Sequence, residues 1–294
     1  MSETTVPIAI TGGSYNEYIN WIEEAIDKKH IRYYEYENFN NIEEIGSGKF
    51  GIVYRATWKN SHNYLALKSF FNLNNITIKE IVNELKLQRE VDFHENIIHF
   101  FGLTRENQND NSKKYWLVME YANNGTLQEY LEKYFNTLTW NDKFNMALQL
   151  AHAVLCLHDE GIMHRDLHSR NVLVNQNTIK LADLGLSKRI DEANNSRLEF
   201  GLRETPVPGT PNTYLDLYTE CWNGEPDNRP NINQIVAKLK ELKYNLTNDD
   251  FRAFELYQHA ANLGDSEAQY NLASMYENGE VNETYINKHT LYQV

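Results

Sequence analysis

The hydrophobic pattern changes period along the chain, and the order of those changes constrains the fold more than any single residue does. From about residue 38 the sequence reads as short β-like runs separated by turns: IEEIGSG, GIVYRATW and YLALKSFF. Two patterns of helical period follow, ITIKEIVNELKLQREVDF and, later, NDKFNMALQLAHAVLCLH. Strands first and helices afterwards predict a two-lobed α+β domain. Near residue 245 the texture changes again, to a helix pair rich in Ala, Tyr and Gly. The expected divisions are an N-terminal extension over 1–36, a main domain over 37–245 and a helical segment over 250–294.

Hydrophobic residues make up 41 % of the 294 positions, enough to bury a core, which excludes a disordered or collagen-like chain. A net charge of −13 argues against nucleic-acid phosphates or an anionic membrane as the main partner. The two cysteines, Cys156 and Cys221, offer neither a disulfide framework nor a metal cluster and suit a reducing compartment. No basic segment followed by an apolar run opens the sequence, and no stretch approaches ~18 apolar residues. The expectation is a cytoplasmic protein with no nucleic-acid and no membrane partner.

Residues 1–13 lack a period and read as a loose tail. Ser14 and Glu17 then form a capping-box pair, and Tyr15, Tyr18, Ile19, Ile22 and Ile26 recur at helical spacing. Packing of this helix on the following domain is the expectation, with a partner-docking helix as the alternative. RENQNDNS, from Arg105, reads as a surface loop between two strands.

Ile45-Gly46-Ser47-Gly48-Lys49-Phe50-Gly51-Ile52-Val53-Tyr54 follows the pattern G-x-G-x-x-G-x-V. Glycines let a strand–turn–strand fold over phosphates with backbone N–H groups facing the anionic oxygens. A dinucleotide-binding turn needs a helix straight afterwards, and residues 52–58 read as a strand instead. By itself the motif is equally compatible with a plain hairpin. Ala66-Leu67-Lys68 places a cation in an apolar strand, where a buried lysine requires a carboxylate or an anionic ligand. Glu84, in the next helical pattern, is the candidate partner.

His164-Arg165-Asp166-Leu167-His168-Ser169-Arg170-Asn171 is followed by Asp183-Leu184-Gly185. With these motifs in place the chain resembles the protein kinases: Gly-rich loop, strand Lys, helix Glu, H-R-D-x-x-x-x-N and a D-F-G variant occur in family order. The resemblance implies a two-lobed kinase-like fold with ATP and Mg2+ as cofactors. It implies that Asp166 accepts the substrate hydroxyl proton, that Asn171 and Asp183 hold the metal, and that Lys68, held by Glu84, grips the phosphates. It further implies that the backbone of Glu120 and Ala122 pairs with adenine and that Met119 backs the pocket. Val53, Ala66 and Leu173 would enclose the base, and Ile45, Gly46, Gly48 and Gly51 would cover the phosphates. His168 stands where serine/threonine kinases usually carry Lys, and Arg170 resembles the tyrosine-kinase pattern; the mixture is most similar to the tyrosine-kinase-like group. Gln88, one turn beyond Glu84, stands where the family places an apolar residue.

Downstream the resemblance breaks. Cys221-Trp222-Asn223-Gly224-Glu225-Pro226-Asp227-Asn228-Arg229-Pro230 resembles the C-W-x-x-x-P-x-x-R-P run near the end of a kinase domain. The interval from Asp183 to Arg229 is about half the roughly hundred residues the family spends there, and it contains no A-P-E. The lower lobe is therefore expected to be internally truncated, with the peptide platform lost, and Arg229 to lack its usual glutamate.

Arg252 to Gly264 reads as a helix with a glycine stop. Ser266 to Asn278 reads as a second, with Ala268, Leu272, Ala273 and Tyr276 facing inward. Leu-Tyr-Gln at 256–258 returns at 291–293. This pair resembles the Sel1-like relatives of tetratricopeptide repeats, which implies protein partners; a plain helical hairpin is the alternative. Two functions follow. One is an ATP-dependent protein kinase acting on Ser/Thr, or Tyr, hydroxyls of protein substrates, with Sel1-like repeats for docking. The other is a nucleotide-binding pseudokinase or scaffold.

Overall fold

The computed structural model describes residues 14–48, 51–59, 61–70, 75–107, 113–190, 206–207 and 209–277. The 1–13 tail, Lys49 and Phe50, residues 191–205 after Asp183, and the returning Leu-Tyr-Gln lie outside these residues. The chain forms two compact units, one of residues up to Leu131 with Ala153–Asn195, the other of Glu132–His152 with Ser196 onward.

In the first unit, helix α1 (Tyr15–Asp27) leads into strand β1 (Tyr33–Glu35). Strands β2 (Phe39–Ser47), β3 (Gly51–Trp58) and β4 (Tyr64–Phe70) follow, then helix α2 (Asn75–Val91) and strands β5 (Phe100–Asn107) and β6 (Lys113–Glu120). The sheet order is β1-β5-β6-β4-β3-β2, antiparallel throughout except for the parallel edge pair β1–β5. Arg105, Glu106 and Asn107, expected in a loop, pair instead with Tyr115, Lys114 and Lys113 in the β5–β6 ladder. Their polar side chains concealed a strand whose backbone bonds do not depend on side-chain hydrophobicity.

Alternation along the strands divides the side chains between two layers. Leu67, Trp116 and Val118 join Tyr34, Phe39 and Ala56 on one face. Phe70, Tyr115, Leu117 and Met119 turn to the other, where they meet Ile78, Ile81, Val82 and Leu85 of α2. The spacing of those four α2 residues is that of a single helical stripe. Tyr18, Trp21, Ile22 and Ala25 of α1 belong to the same buried cluster, so the N-terminal helix is part of this core.

Helix α4 (Trp140–Asp159) is followed by strands β7 (Ile162–Met163), β8 (Val172–Asn175), β9 (Thr178–Leu181) and β10 (Lys188–Arg189), paired β7–β10 and β8–β9. The preceding helix α3 spans Leu127–Tyr134.

The second unit contains helices α5 (Asn212–Cys221), α6 (Ile232–Asn262) and α7 (Ser266–Glu277). Tyr214 of α5 stacks edge-on against Phe144 of α4, centroids 5.5 Å apart, with Trp140 at 5.8 Å. Phe144 is thereby buried although the interval before α5 is short. Arg229 donates through Nε to the Asn223 carbonyl at 2.9 Å.

Helix α6 runs without interruption through residues 245–250, where the sequence texture changes. It stops at Leu263 and Gly264, and the latter's φ of +92° is the left-handed conformation that glycine adopts cheaply. Phe254 and Met275 form the small core between α6 and α7, with Ala253, Tyr257 and Leu272 beside them. Ala268 is buried as expected, but Ala273 is exposed. Met275, three residues after Leu272, completes the inward stripe in its place.

Candidate active site

The alternation of β4 turns Ala66, Lys68 and Phe70 toward α2 while Leu65 and Leu67 face away. Lys68 Nζ lies 2.8 and 3.0 Å from the two carboxylate oxygens of Glu84 and 2.9 Å from Asp183 Oδ1. The Glu84 side chain is 3 % exposed and that of Lys68 12 %, whereas Asp183 is 34 % exposed and faces the open side. Burial alone would lower the pKa of Lys68, but the attraction of Glu84 and Asp183 outweighs it, and the ammonium is held above its ordinary value. Burial raises Glu84, aided by repulsion from Asp183 and opposed by Lys68. Asp183 is also penalised by burial, yet Lys68 and the Gly185 N–H bring its carboxyl below the ordinary range. One cation therefore serves two carboxylates, and the more open one is the readier anion.

Asp183 sits at φ +64°, a conformation that costs a non-glycine residue energy. Its side chain accepts the Gly185 N–H at 3.2 Å, which offsets part of that cost. A Cβ on Gly185 would lie 3.1 Å from Asp183 Oδ1 and 3.4 Å from Glu84 Oε2, tighter than most side-chain contacts.

The loop after β7 carries the second group. Asn171 Nδ2 donates to the Asp166 carbonyl at 2.9 Å and to its Oδ2 at 3.1 Å. His168 Nε2 stands 3.7 Å from the same Oδ2, while the Arg170 N–H donates to His168 Nδ1. Both side chains approach Oδ2, not Oδ1. His164 lies beneath the loop, 4 % exposed. Its Nδ1 accepts the Asp166 N–H at 3.3 Å and its Nε2 is 3.0 Å from the Ala182 carbonyl, an arrangement satisfied by the neutral Nε2–H tautomer. Burial accordingly lowers its pKa. Ala182 in turn donates to the Asn171 carbonyl at 2.9 Å, so the Asp166–Asn171 loop and the Asp183 turn are joined through one residue.

Gly46 pairs with Val53 across the β2–β3 hairpin, and the Gly48 N–H donates to the Gly51 carbonyl at 2.9 Å. Gly51 is required for a different reason: a Cβ there would lie 1.7 Å from the Ser69 carbonyl oxygen. Beside Gly46 and Gly48 an added Cβ would meet no atom of the described residues within 4 Å. Ala66, Leu173 and Met119 share the cluster that extends to α2, and Ala122 is buried. Val53 is half-buried opposite Lys68, and Ile45 is exposed at 46 %.

Sequence reasoning missed the side-chain role of Glu120. Its carboxylate accepts Lys180 Nζ at 2.9 Å, Asn175 Nδ2 at 3.0 Å and the His99 N–H at 3.3 Å. Lys180 of β9 and Asn175 of β8 are thereby tied to the end of β6. The lysine gave no sequence signal beyond standing between Ile179 and Leu181. Gln88 is buried at 2 % exposure, donating to the Ile98 carbonyl at 2.6 Å, with its Oε1 unpartnered among the described residues.

Magnesium prefers one or two carboxylate-type ligands completed by phosphate oxygens and water. Among the described residues no group of three or more His, Cys, Asp or Glu could hold a metal alone. Asp183, beside Lys68, and the amide oxygen of Asn171 could supply such ligands, with phosphate oxygens to complete the set. These residues fit a metal that arrives with a nucleotide.

A six-stranded sheet, antiparallel but for its β1 edge, whose lysine pairs with the glutamate of one packed helix, together with a loop that joins Asp to Asn, is protein-kinase architecture. The family model for protein tyrosine and serine/threonine kinases matches residues 39–207, more than half of the chain, and the chain belongs to that family. Among curated relatives, the probable serine/threonine-protein kinase kinX of Dictyostelium discoideum is 26 % identical over 287 residues, covering 76 % of this chain and 26 % of kinX. The LEAF RUST 10 disease-resistance locus receptor-like protein kinase-like 1.4 of Arabidopsis thaliana is 31 % identical over 192 residues, covering 63 % of this chain and 26 % of that protein. The tyrosine-protein kinase receptor svh-2 of Caenorhabditis elegans is 27 % identical over 210 residues, covering 70 % and 18 %. The chain thus spans about a quarter of the length of such relatives. No helix among the described residues is long and apolar enough to cross a membrane.

Proposed function

We propose that this chain binds Mg-ATP between the glycine hairpin and the Asp166–Asn171 loop, with phosphoryl transfer to protein serine and threonine hydroxyls as the reaction its residues are arranged for. The observation that carries the reading is the Lys68–Glu84–Asp183 triad: a cation fixed by one buried carboxylate and shared with a second, open one. Phosphoryl transfer is mainly positioning and charge neutralisation. In this reading Lys68 neutralises phosphate oxygens, Asp183 and Asn171 hold the metal, and Asp166 orients the attacking hydroxyl through Oδ1 and takes its proton. The backbone of Glu120 and Ala122 would pair with adenine against Ala66, Leu173 and Met119. The test is nucleotide affinity measured calorimetrically with Mg2+, for the natural chain and for Lys68→Ala. Equal heats from both would overturn it.

A second reading, a nucleotide-binding scaffold with poor transfer to proteins, is favoured by the short interval between Asp183 and Arg229. The alignment with kinX supports it: it extends over 287 positions while taking in 76 % of this 294-residue chain, so the relative carries residues with no counterpart here. Loss of the peptide platform would remove the positioning part of catalysis and leave nucleotide contacts intact. The α6–α7 pair, read as a Sel1-like repeat, would supply protein docking in a cytoplasmic setting, and pull-down of partners by the natural chain against Leu256→Asp checks that role.

A further inference from the structure

The family match begins at residue 39, yet the segment before it is built into the unit that carries Lys68 and Glu84. Four of its residues, Tyr18, Trp21, Ile22 and Ala25, are packed with Ile78, Ile81, Val82 and Leu85, the stripe of α2 that adjoins Glu84. Lys86 of α2 lies over the Trp21 ring, 5.3 Å from its centroid.

Polar contacts fix where α1 sits. Glu23 accepts Arg105 Nη1 at 3.0 and 2.9 Å and the Tyr115 hydroxyl at 2.5 Å. Arg105 and Tyr115 are directly opposed across β5 and β6, so one carboxylate is held by a cross-strand pair. Burial, with Glu23 beside it, pushes the Tyr115 hydroxyl far above the ordinary phenol range, which keeps it a donor. The sheet edge is also shaped for the segment. The Leu103 N–H donates to the Arg32 carbonyl at 2.9 Å, and a Cβ on Gly102 would lie 2.1 Å from that same carbonyl. Gly102, at φ +152°, admits the chain at the start of β1 where a side chain would exclude it.

On its other side α2 is tied to the turn that holds Asp183. Asn83 donates to the Ser187 carbonyl at 3.3 Å, and Arg189 pairs with Glu90. The helix bearing Glu84 is thus contacted by the Asp183 turn in front and by α1 behind.

We propose that residues 14–38 are a positioning element of the nucleotide site: α1, anchored by Glu23 and packed through Trp21 and Ile22, seats α2 so that Glu84 meets Lys68. This rests on the nucleotide-binding reading above and deepens it, because the part of the chain that completes the site lies outside the matched family span. Glu23, Trp21 and Ile22 touch no substrate and act through Glu84.

The test uses the full chain with Ile22→Ala, and Phe39→Leu on the opposite face of the sheet as a control for simple loss of packing. Amide exchange of residues 78–91, measured without nucleotide, is expected to quicken about tenfold in Ile22→Ala and to stay near the natural rate in Phe39→Leu. Affinity for Mg-ATP is expected to weaken about tenfold in Ile22→Ala, and the same substitution made in a Glu84→Gln background should add nothing. Glu23→Gln is the milder variant if Ile22→Ala does not fold, with smaller changes in the same directions. Unchanged exchange in α2, equal quickening in the control, or an effect on affinity that persists beside Glu84→Gln would each overturn the proposal. If the natural chain binds no nucleotide, the functional reading fails, and the exchange measurement still decides whether α1 positions α2.

Discussion

Lys68 Nζ lies 2.9 Å from Asp183 Oδ1 while the same ammonium is held by Glu84. In the proposed site, a metal–nucleotide complex would meet a carboxylate already oriented by a cation and a cation already placed for phosphate. Little reorganisation is needed before binding.

Mg-ATP at a hundredfold excess over its dissociation constant should stabilise the protein by about 2.7 kcal/mol, a rise of roughly 5–10 °C in melting temperature. Lys68→Ala should abolish the rise. A scan with and without nucleotide checks both, and a folded natural chain that gives no rise contradicts the site.

The Glu120–Lys180 pair is the second test. The two side chains are 14 % and 9 % exposed, so removal of one partner strands the other where water reaches it poorly. Lys180→Met should cost about 3–5 kcal/mol in urea unfolding, and Glu120→Gln added to it should recover much of that loss. Additive losses in the double variant would show that the two do not act as a pair.

His164 makes stability depend on acid. Its pKa is lowered from 6.5 in the folded state, so the unfolded imidazole takes up protons first as the pH falls. The contribution is complete above pH 6.5 and is lost as the pH drops through the lower folded value. Between pH 7 and pH 5 the melting temperature of the natural chain should fall more steeply than that of His164→Asn. Parallel curves would assign the acid sensitivity to other groups.

Transfer to protein substrates should be weak or absent although Asp166, Asn171 and Asp183 are in place, because the segment that would fix a peptide beside Asp166 is short. Labelled phosphate incorporated into generic substrates and into the chain itself is the measurement, with Asp166→Asn as the control. Vigorous incorporation that disappears in the control would show that the short interval still supports a substrate platform.

The strand-then-helix order was legible from the hydrophobic period, and the Lys68–Glu84 pair from a lysine inside an apolar strand read together with the kinase-like order of motifs. The capping pair of Ser14 and Glu17 was legible too: the Ser14 N–H donates to Glu17 Oε2 at 2.7 Å. What was not legible depends on register between distant segments. Arg105 looked like part of a polar loop until its strand was paired with Tyr115, and only that pairing reveals a shared grip on Glu23. Trp21, the largest side chain on the buried face of α1, escaped notice beside the more regular tyrosines and isoleucines. Lys180 reads as one polar residue inside a short strand, and nothing local says that a glutamate some sixty positions earlier will reach it.

The continuity of α6 has a mechanical consequence. Its first half carries Val236 and Leu239, buried as is Leu217 of α5, and its far end carries Phe254 against Met275 of α7. Both ends share one shaft, so the azimuth of α7 is inherited from α5 instead of being left to a tether. Each residue inserted between them would turn the distal pair by about 100° and advance it by about 1.5 Å. Deleting a single residue near Asn245 therefore reorients whatever α7 presents, whereas deleting four together nearly restores its phase.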